Sequence, residues 1–138
     1  MARTRLLALA AAGLQGALAA NIEVSWVIPS GSSLPAETAV VGDTATFTWG
    51  DMSGNHNVFV HPSGDCTEDG SSSVGASSPA VYTFVSGDIG TKVFACDVGS
   101  HCENGQIITF TVSAACPSME EIDATCASAS SDINRSGA

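Results

Sequence analysis

The stretch Cys96-Asp97-Val98-Gly99-Ser100-His101-Cys102-Glu103-Asn104-Gly105-Gln106 gathers a thiol, an imidazole and a side-chain amide into one short loop, and His56 lies upstream of it. A thiolate, two ring nitrogens and an amide oxygen suit a trigonal sulfur/nitrogen copper centre with a weak axial ligand. Zinc also accepts Cys and His, but structural zinc sites prefer ligands paired at short spacing. The chain has no Cys-x-x-Cys or His-x3-His pair, and glutamine would be an unusual zinc ligand. Copper is the better match to the donor set.

Other chemistries are excluded by what is missing. A centre with several coppers needs many histidines, whereas only His56, His61 and His101 exist and two are already used. A cysteine hydrolase needs a base beside its nucleophile and donors for an oxyanion. Cys96 and His101 alone do not supply them, so no enzymatic activity is expected. His61 is out of register with His56, Val58 and Val60 and is expected at the surface.

The elements that must position these groups read as short strands separated by Gly, Ser, Pro and Asp clusters, the pattern of a β-sandwich or barrel. Ile22 to Ile28 alternates, with Ile22, Val24, Trp26 and Ile28 on one face; Pro29 to Pro35 is a loop. Val40-Val41 and Thr44 to Trp49 follow around the turn pair Gly42-Asp43, with Ala45, Phe47 and Trp49 sharing a face. His56 to Val60, Ala80 to Val85, Lys92 to Cys96 and Gln106 to Val112 complete about seven strands. Pro62 to Pro79, polar and rich in Gly and Ser, is expected to be a long surface loop tethered by Cys66.

Alternation also relates the candidate ligands. Side chains at i and i+2 lie on the same side of a strand. His56 therefore shares a side with Val58 and Val60, Cys96 with Phe94, and Gln106 with Ile108, Phe110 and Val112. Three polar or reactive groups end three apolar faces and point to one pole of the core. A buried imidazole or amide without a partner costs roughly 1–3 kcal/mol, and one shared ion would satisfy all three.

Residues 1–20 read as a signal peptide: Arg3 and Arg5, the apolar stretch Leu6 to Ala12, then Ala17-Leu18-Ala19 before cleavage near Ala19 or Ala20. That stretch is broken by Gly13, Gln15 and Gly16 and is too short to span a bilayer. Export implies a secreted or extracytoplasmic protein. Cleavage would leave Lys92 and Arg135 against fourteen acidic residues, a net charge of about −12 (2 − 14). Such a surface repels nucleic acid and anionic lipid and is steered toward a basic partner.

The five cysteines are Cys66, Cys96, Cys102, Cys116 and Cys126. In an oxidising compartment an even number pair and one is left over, and sequence does not choose which. After Ala115 the composition changes. Ser118 and Glu121 have the spacing of a capping box, and Met119, Ile122 and Cys126 fall on one helical face, so a short helix stapled by Cys116 and Cys126 is expected. Beyond it the Ser/Ala-rich end reads as a linker, and Asn134-Arg135-Ser136 is a glycosylation sequon. The expected organisation is thus a leader over 1–20, one domain over 21–113 and a stapled tail over 114–138.

Together these residues resemble the cupredoxins, and among them the phytocyanins. That family carries a histidine followed by Asn-Val, then Cys-x4-His-Cys-x3-Gly, then Met or Gln. The matching positions are His56-Asn57-Val58, Cys96, His101-Cys102, Gly105 and Gln106, and Val41-Gly42-Asp43 with Ala45, Phe47 and Trp49 resembles an early strand of the family. The resemblance covers about residues 21–113. It implies a Greek-key β-sandwich of about seven strands that holds one copper ion, cycles between Cu(II) and Cu(I), and acts as a one-electron carrier. It further implies a plane of His56, Cys96 and His101 with Gln106 axial, as in the stellacyanin branch, and Asn57 behind them tying the ligand loops together.

The resemblance also implies a Cys66–Cys102 bridge beside the metal, which leaves Cys116 for Cys126 and Cys96 for the ion. The chain departs from the family in its Ser- and acid-rich Pro62–Pro79 loop and in its tail. No hydrophobic C-terminal segment for a lipid anchor is present in the sequence, although Ser136-Gly137-Ala138 are small residues of the kind that precede one. A monomer meeting a redox protein with a basic patch is the expected working state. The rival expectation is an extracellular copper-storage protein without electron transfer; a metal-free adhesion module fits the ligand set less well.

Overall fold

The computed structural model describes residues 18–51 and 55–115. Most of the expected leader, the expected Cys116–Cys126 staple and helix, and the Asn134 sequon lie outside the described residues. Ala19–Ala115 form one compact unit.

Two sheets face each other across the apolar faces read from alternation. Strands β1 (Asn21–Ser25), β3 (Thr44–Thr48) and β6 (Ala80–Thr83) form the smaller sheet in the order β1-β3-β6. The larger sheet is built from β2 (Glu37–Val40), β4 (Val58–Val60), β5 (Ser72–Gly75), β7 (Gly90–Ala95) and β8 (Ile107–Ser113), ordered β2-β8-β7-β4-β5. The pairings β1–β3 and β2–β8 are parallel, and the others are antiparallel. The result is the expected all-β sandwich, with mixed sheets.

Period-two patterning decides which residues fill the space between the sheets. In β8, Ile108, Phe110 and Val112 are buried while Thr111 and Ser113 face outward. Trp26, Phe47, Phe84, Phe94 and Phe110 are the large side chains at the centre. Phe94 lies with its ring centroid 5.1 Å from Phe47, 5.0 Å from Tyr82 and 5.6 Å from Phe110. Fully burying such a ring contributes about 1.5–3 kcal/mol, so this cluster is the rigid block behind the site.

Two expectations about the elements need correction. The stretch Pro62–Pro79 is not wholly loop, because Ser72–Gly75 forms an edge strand on β4, an eighth strand beyond the seven expected. Its Ser and Gly composition has little strand propensity, and the ladder with β4 is what makes it a strand. Ile28 does not continue the buried face of β1. The strand ends at Ser25 and Ile28 is 41% exposed.

Candidate metal centre

Adjacent strands bring the predicted ligands to one end of the larger sheet. His56 lies two residues before β4, Cys96 directly after β7, and Gln106 directly before β8. β4 pairs antiparallel with β7 (Phe59↔Ala95), and β7 with β8 (Ala95↔Ile107). The start of β4, the end of β7 and the start of β8 are therefore neighbours, and one shift in register would turn each group to the opposite side. A register irregularity between Val58 and Phe59 lies beside His56, the kind of place where a bulge re-aims a side chain.

His101 arrives by a loop instead of a strand. That loop is wound tightly: the His101 N–H donates to Val98 O at 3.0 Å, Asn104 N–H to Ser100 O at 3.0 Å, and Gly105 N–H to Cys102 O at 2.8 Å. Gln106 N–H donates to His101 O at 2.9 Å, and Cys96 N–H to Gln106 O at 3.1 Å, closing the loop at its base. Gly105 has φ +100°, and a Cβ there would lie 2.5 Å from Ser32 O. Only glycine fits that conformation and that approach.

One ring nitrogen of His56, Sγ of Cys96 and one ring nitrogen of His101 all lie within 4.8 Å of one another. The sulfur is 4.0 Å from Nδ1 of His56 and 3.4 Å from Nδ1 of His101. Metal–nitrogen and metal–sulfur bonds of about 2.0 and 2.3 Å at trigonal or tetrahedral angles separate the two donors by about 3.5–3.7 Å. The two observed separations bracket that range, so these residues fit a single ion. His56 and Gln106 are 5% and 0% exposed and Cys96 is fully buried, whereas His101 is partly open to solvent.

Gln106 accepts a hydrogen bond at Oε1 from Nδ1 of His56 at 2.9 Å and donates from Nε2 to Trp26 O at 3.2 Å. Its oxygen thus faces a donor atom of the cluster. Asn57 links the segments on either side: its Oδ1 accepts from the Asp97 N–H at 2.7 Å, and its carbonyl accepts from Trp26 Nε1 at 2.9 Å. Cys66 and Cys102 form a disulfide, while Cys96 is a free, buried cysteine.

His61 overturns the surface expectation. It is 1% exposed, with its ring between Asp65 O at 2.9 Å and Asp97 Oδ1 at 2.6 Å. Alternation misleads here because β4 ends at Val60. The turn that follows, with Gly64 N–H donating to His61 O, folds over the ring. No local signal in the sequence marks Asp97, 36 residues further along the chain, as its partner.

No family model matches the chain, and no curated protein matches its sequence. Solved structures do match. Cucumber stellacyanin, with Cu2+ at pH 7.0, is 24% identical and aligns over 72% of this chain and 100% of its own, with a TM-score of 0.54. Spinach plantacyanin is 20% identical (68% and 100% covered, TM-score 0.47), and cucumber basic protein, a blue copper protein, is 22% identical (64% and 91%, TM-score 0.45). These structural neighbours are phytocyanins. With its two sheets and its His-Cys-His cluster at one end, the described domain has the cupredoxin fold, as does cucumber stellacyanin.

Proposed function

We propose that the chain is an extracytoplasmic one-electron carrier built on a mononuclear blue copper centre. His56, Cys96 and His101 would hold the ion, with the Gln106 oxygen as axial donor. The observation that carries this reading is the convergence of three donor atoms within 4.8 Å, two of them on buried residues and one on a residue open to solvent.

The bound copper supplies reversible one-electron chemistry between Cu(II) and Cu(I). The residues of the chain supply rigidity. Two antiparallel strand pairs, the Cys96–Gln106 main-chain bond and the Asn57–Asp97 bond hold the donors at one spacing, which keeps reorganisation small. An amide oxygen is a harder donor than a thioether and favours the oxidised ion, so the potential is expected to be low. The partly open His101 ring is the route by which electrons reach the buried donors, and Gly99, Ser100 and Asn104 flank it.

A basic partner fits the acidic surface, since Lys92 is the sole lysine or arginine among the described residues. The leader read from residues 1–20 supports an extracytoplasmic place. Among the described residues no helix is long and apolar enough to cross a membrane.

Adding Cu(II) to the purified protein should produce an intense visible charge-transfer band that is absent from Cys96→Ser. A colourless adduct of the wild-type protein overturns the trigonal thiolate site. Fast electron self-exchange with tightly held copper supports a carrier, and labile copper would indicate storage instead.

A further inference from the structure

One buried polar residue, His61, is not among the ligands although its ring reaches the loop that follows Cys96. His61 directly follows β4, and its main-chain N–H donates to Val93 O at 2.9 Å, so its backbone is tied to β7. Asp65 O, 2.9 Å from ring Nδ1, can only accept, so Nδ1 carries a hydrogen. Nε2 and Asp97 Oδ1 are 2.6 Å apart, within hydrogen-bond distance. The side chains of His61 and Asp97 are 0% and 12% exposed, so water competes little for that bond.

Each partner of this imidazole is tied through the chain to the metal cluster, Asp97 directly and Asp65 by way of the disulfide. Asp97 follows Cys96, and its main-chain N–H is held by Asn57, the neighbour of His56. Asp65 precedes Cys66, which is bridged to Cys102, the neighbour of His101. From the two ring nitrogens of His61, one arm runs through Asp97 to Cys96. The other runs through Asp65 and the disulfide to His101. The arms meet where Cys96 Sγ and His101 Nδ1 lie 3.4 Å apart. A ring closed in this way limits how far the two donors can separate, whatever the rest of the loop does.

We propose that His61 is a positioning residue of the metal centre, a buried clasp that acts through Asp97 to hold the Cys96 thiolate at its spacing from His101. The proposal rests on the copper reading above for its consequence, while the clasp itself belongs to the protein without metal. Residues that orient metal ligands in this indirect way commonly change metal affinity by about 10–100-fold when replaced.

Two variants separate positioning from simple filling of space. In His61→Gln the amide nitrogen replaces Nε2 and still reaches Asp97. In His61→Asn the amide nitrogen replaces Nδ1 and reaches only Asp65 O. Positioning through Asp97 predicts copper held about 10–100-fold less tightly in His61→Asn, with a shifted charge-transfer band, and near wild-type behaviour in His61→Gln. Indistinguishable copper affinity and spectra in the two variants overturn the proposal.

If wild-type protein gives no charge-transfer band, the copper reading fails, and the clasp is judged on the metal-free protein by NMR. There the Asp97 amide should exchange with solvent faster in His61→Asn than in His61→Gln; equal exchange overturns the clasp. Should neither variant fold, the wild-type protein decides: a His61 ring N–H in slow exchange supports the clasp, and one that exchanges at the rate of an exposed imidazole refutes it.

Discussion

Removing the Cys66–Cys102 bridge should cost the metal-free domain a large share of its stability. The two cysteines are 36 residues apart in sequence. Opening a loop of that length returns about 13 cal/mol/K of chain entropy to the unfolded state, or about 3.8 kcal/mol at 25 °C. A domain of this size is stable by only about 5–15 kcal/mol. The double variant Cys66→Ser/Cys102→Ser is the right perturbation, because neither site then leaves a lone thiol to compete with Cys96. Urea unfolding followed by Trp fluorescence, to which the fully buried Trp26 contributes, reads the loss directly. With a slope of about 1–2 kcal/mol/M the midpoint should fall by about 2–4 M. A loss below about 1 kcal/mol refutes the entropic reasoning, since it would mean that the unfolded chain is already constrained over this span.

Gln106→Met should raise the reduction potential of the copper-loaded protein, each tenfold loss of preference for Cu(II) reading as about 59 mV; a potential that stays or falls under voltammetry sinks the axial role. Gly105→Ala should destabilise the domain by at least about 2 kcal/mol in urea, because a Cβ at φ +100° would lie 2.5 Å from Ser32 O, and a neutral outcome would show that the loop relaxes freely. Burial opposes the charge on Asp88, but hydrogen bonds from Lys92, the Val85 N–H and Tyr82 outweigh it and hold its carboxyl below the ordinary 3.8. Its stabilisation is therefore present above pH 3.8 and lost as pH falls through the folded-state value. Burial likewise opposes the charge on Lys92, while its bond to Asp88 raises it above 10.5, so that contribution is complete below pH 10.5 and lost as pH rises through the folded value. In Asp88→Asn the stability–pH curve should flatten at both limbs, and an unchanged acid limb would contradict the assignment.

Legibility in the sequence followed how local the governing physics is. The alternation of Val58 and Val60, and of Ile108, Phe110 and Val112, is a property of neighbouring residues, and it correctly assigned the buried faces and the sides on which His56, Cys96 and Gln106 lie. Ser72–Gly75 was illegible because its strand character comes from hydrogen bonds to β4 and not from its own side chains. Ile28 failed for the complementary reason: its pattern continues past the point where β1 stops pairing with β3.

By itself the sequence determined the types, order and spacing of the candidate donors, the apolar faces of the strands, and a resemblance that implied the Cys66–Cys102 bridge. Those are consequences of residue type and of a two-residue period. Only the tertiary structure decided that β4, β7 and β8 lie side by side, which brings the donor atoms within 4.8 Å. It alone placed His61 under a turn against Asp97. Strand order and the burial of a residue beyond a strand end depend on contacts between segments far apart in the chain, and no period within one segment encodes them.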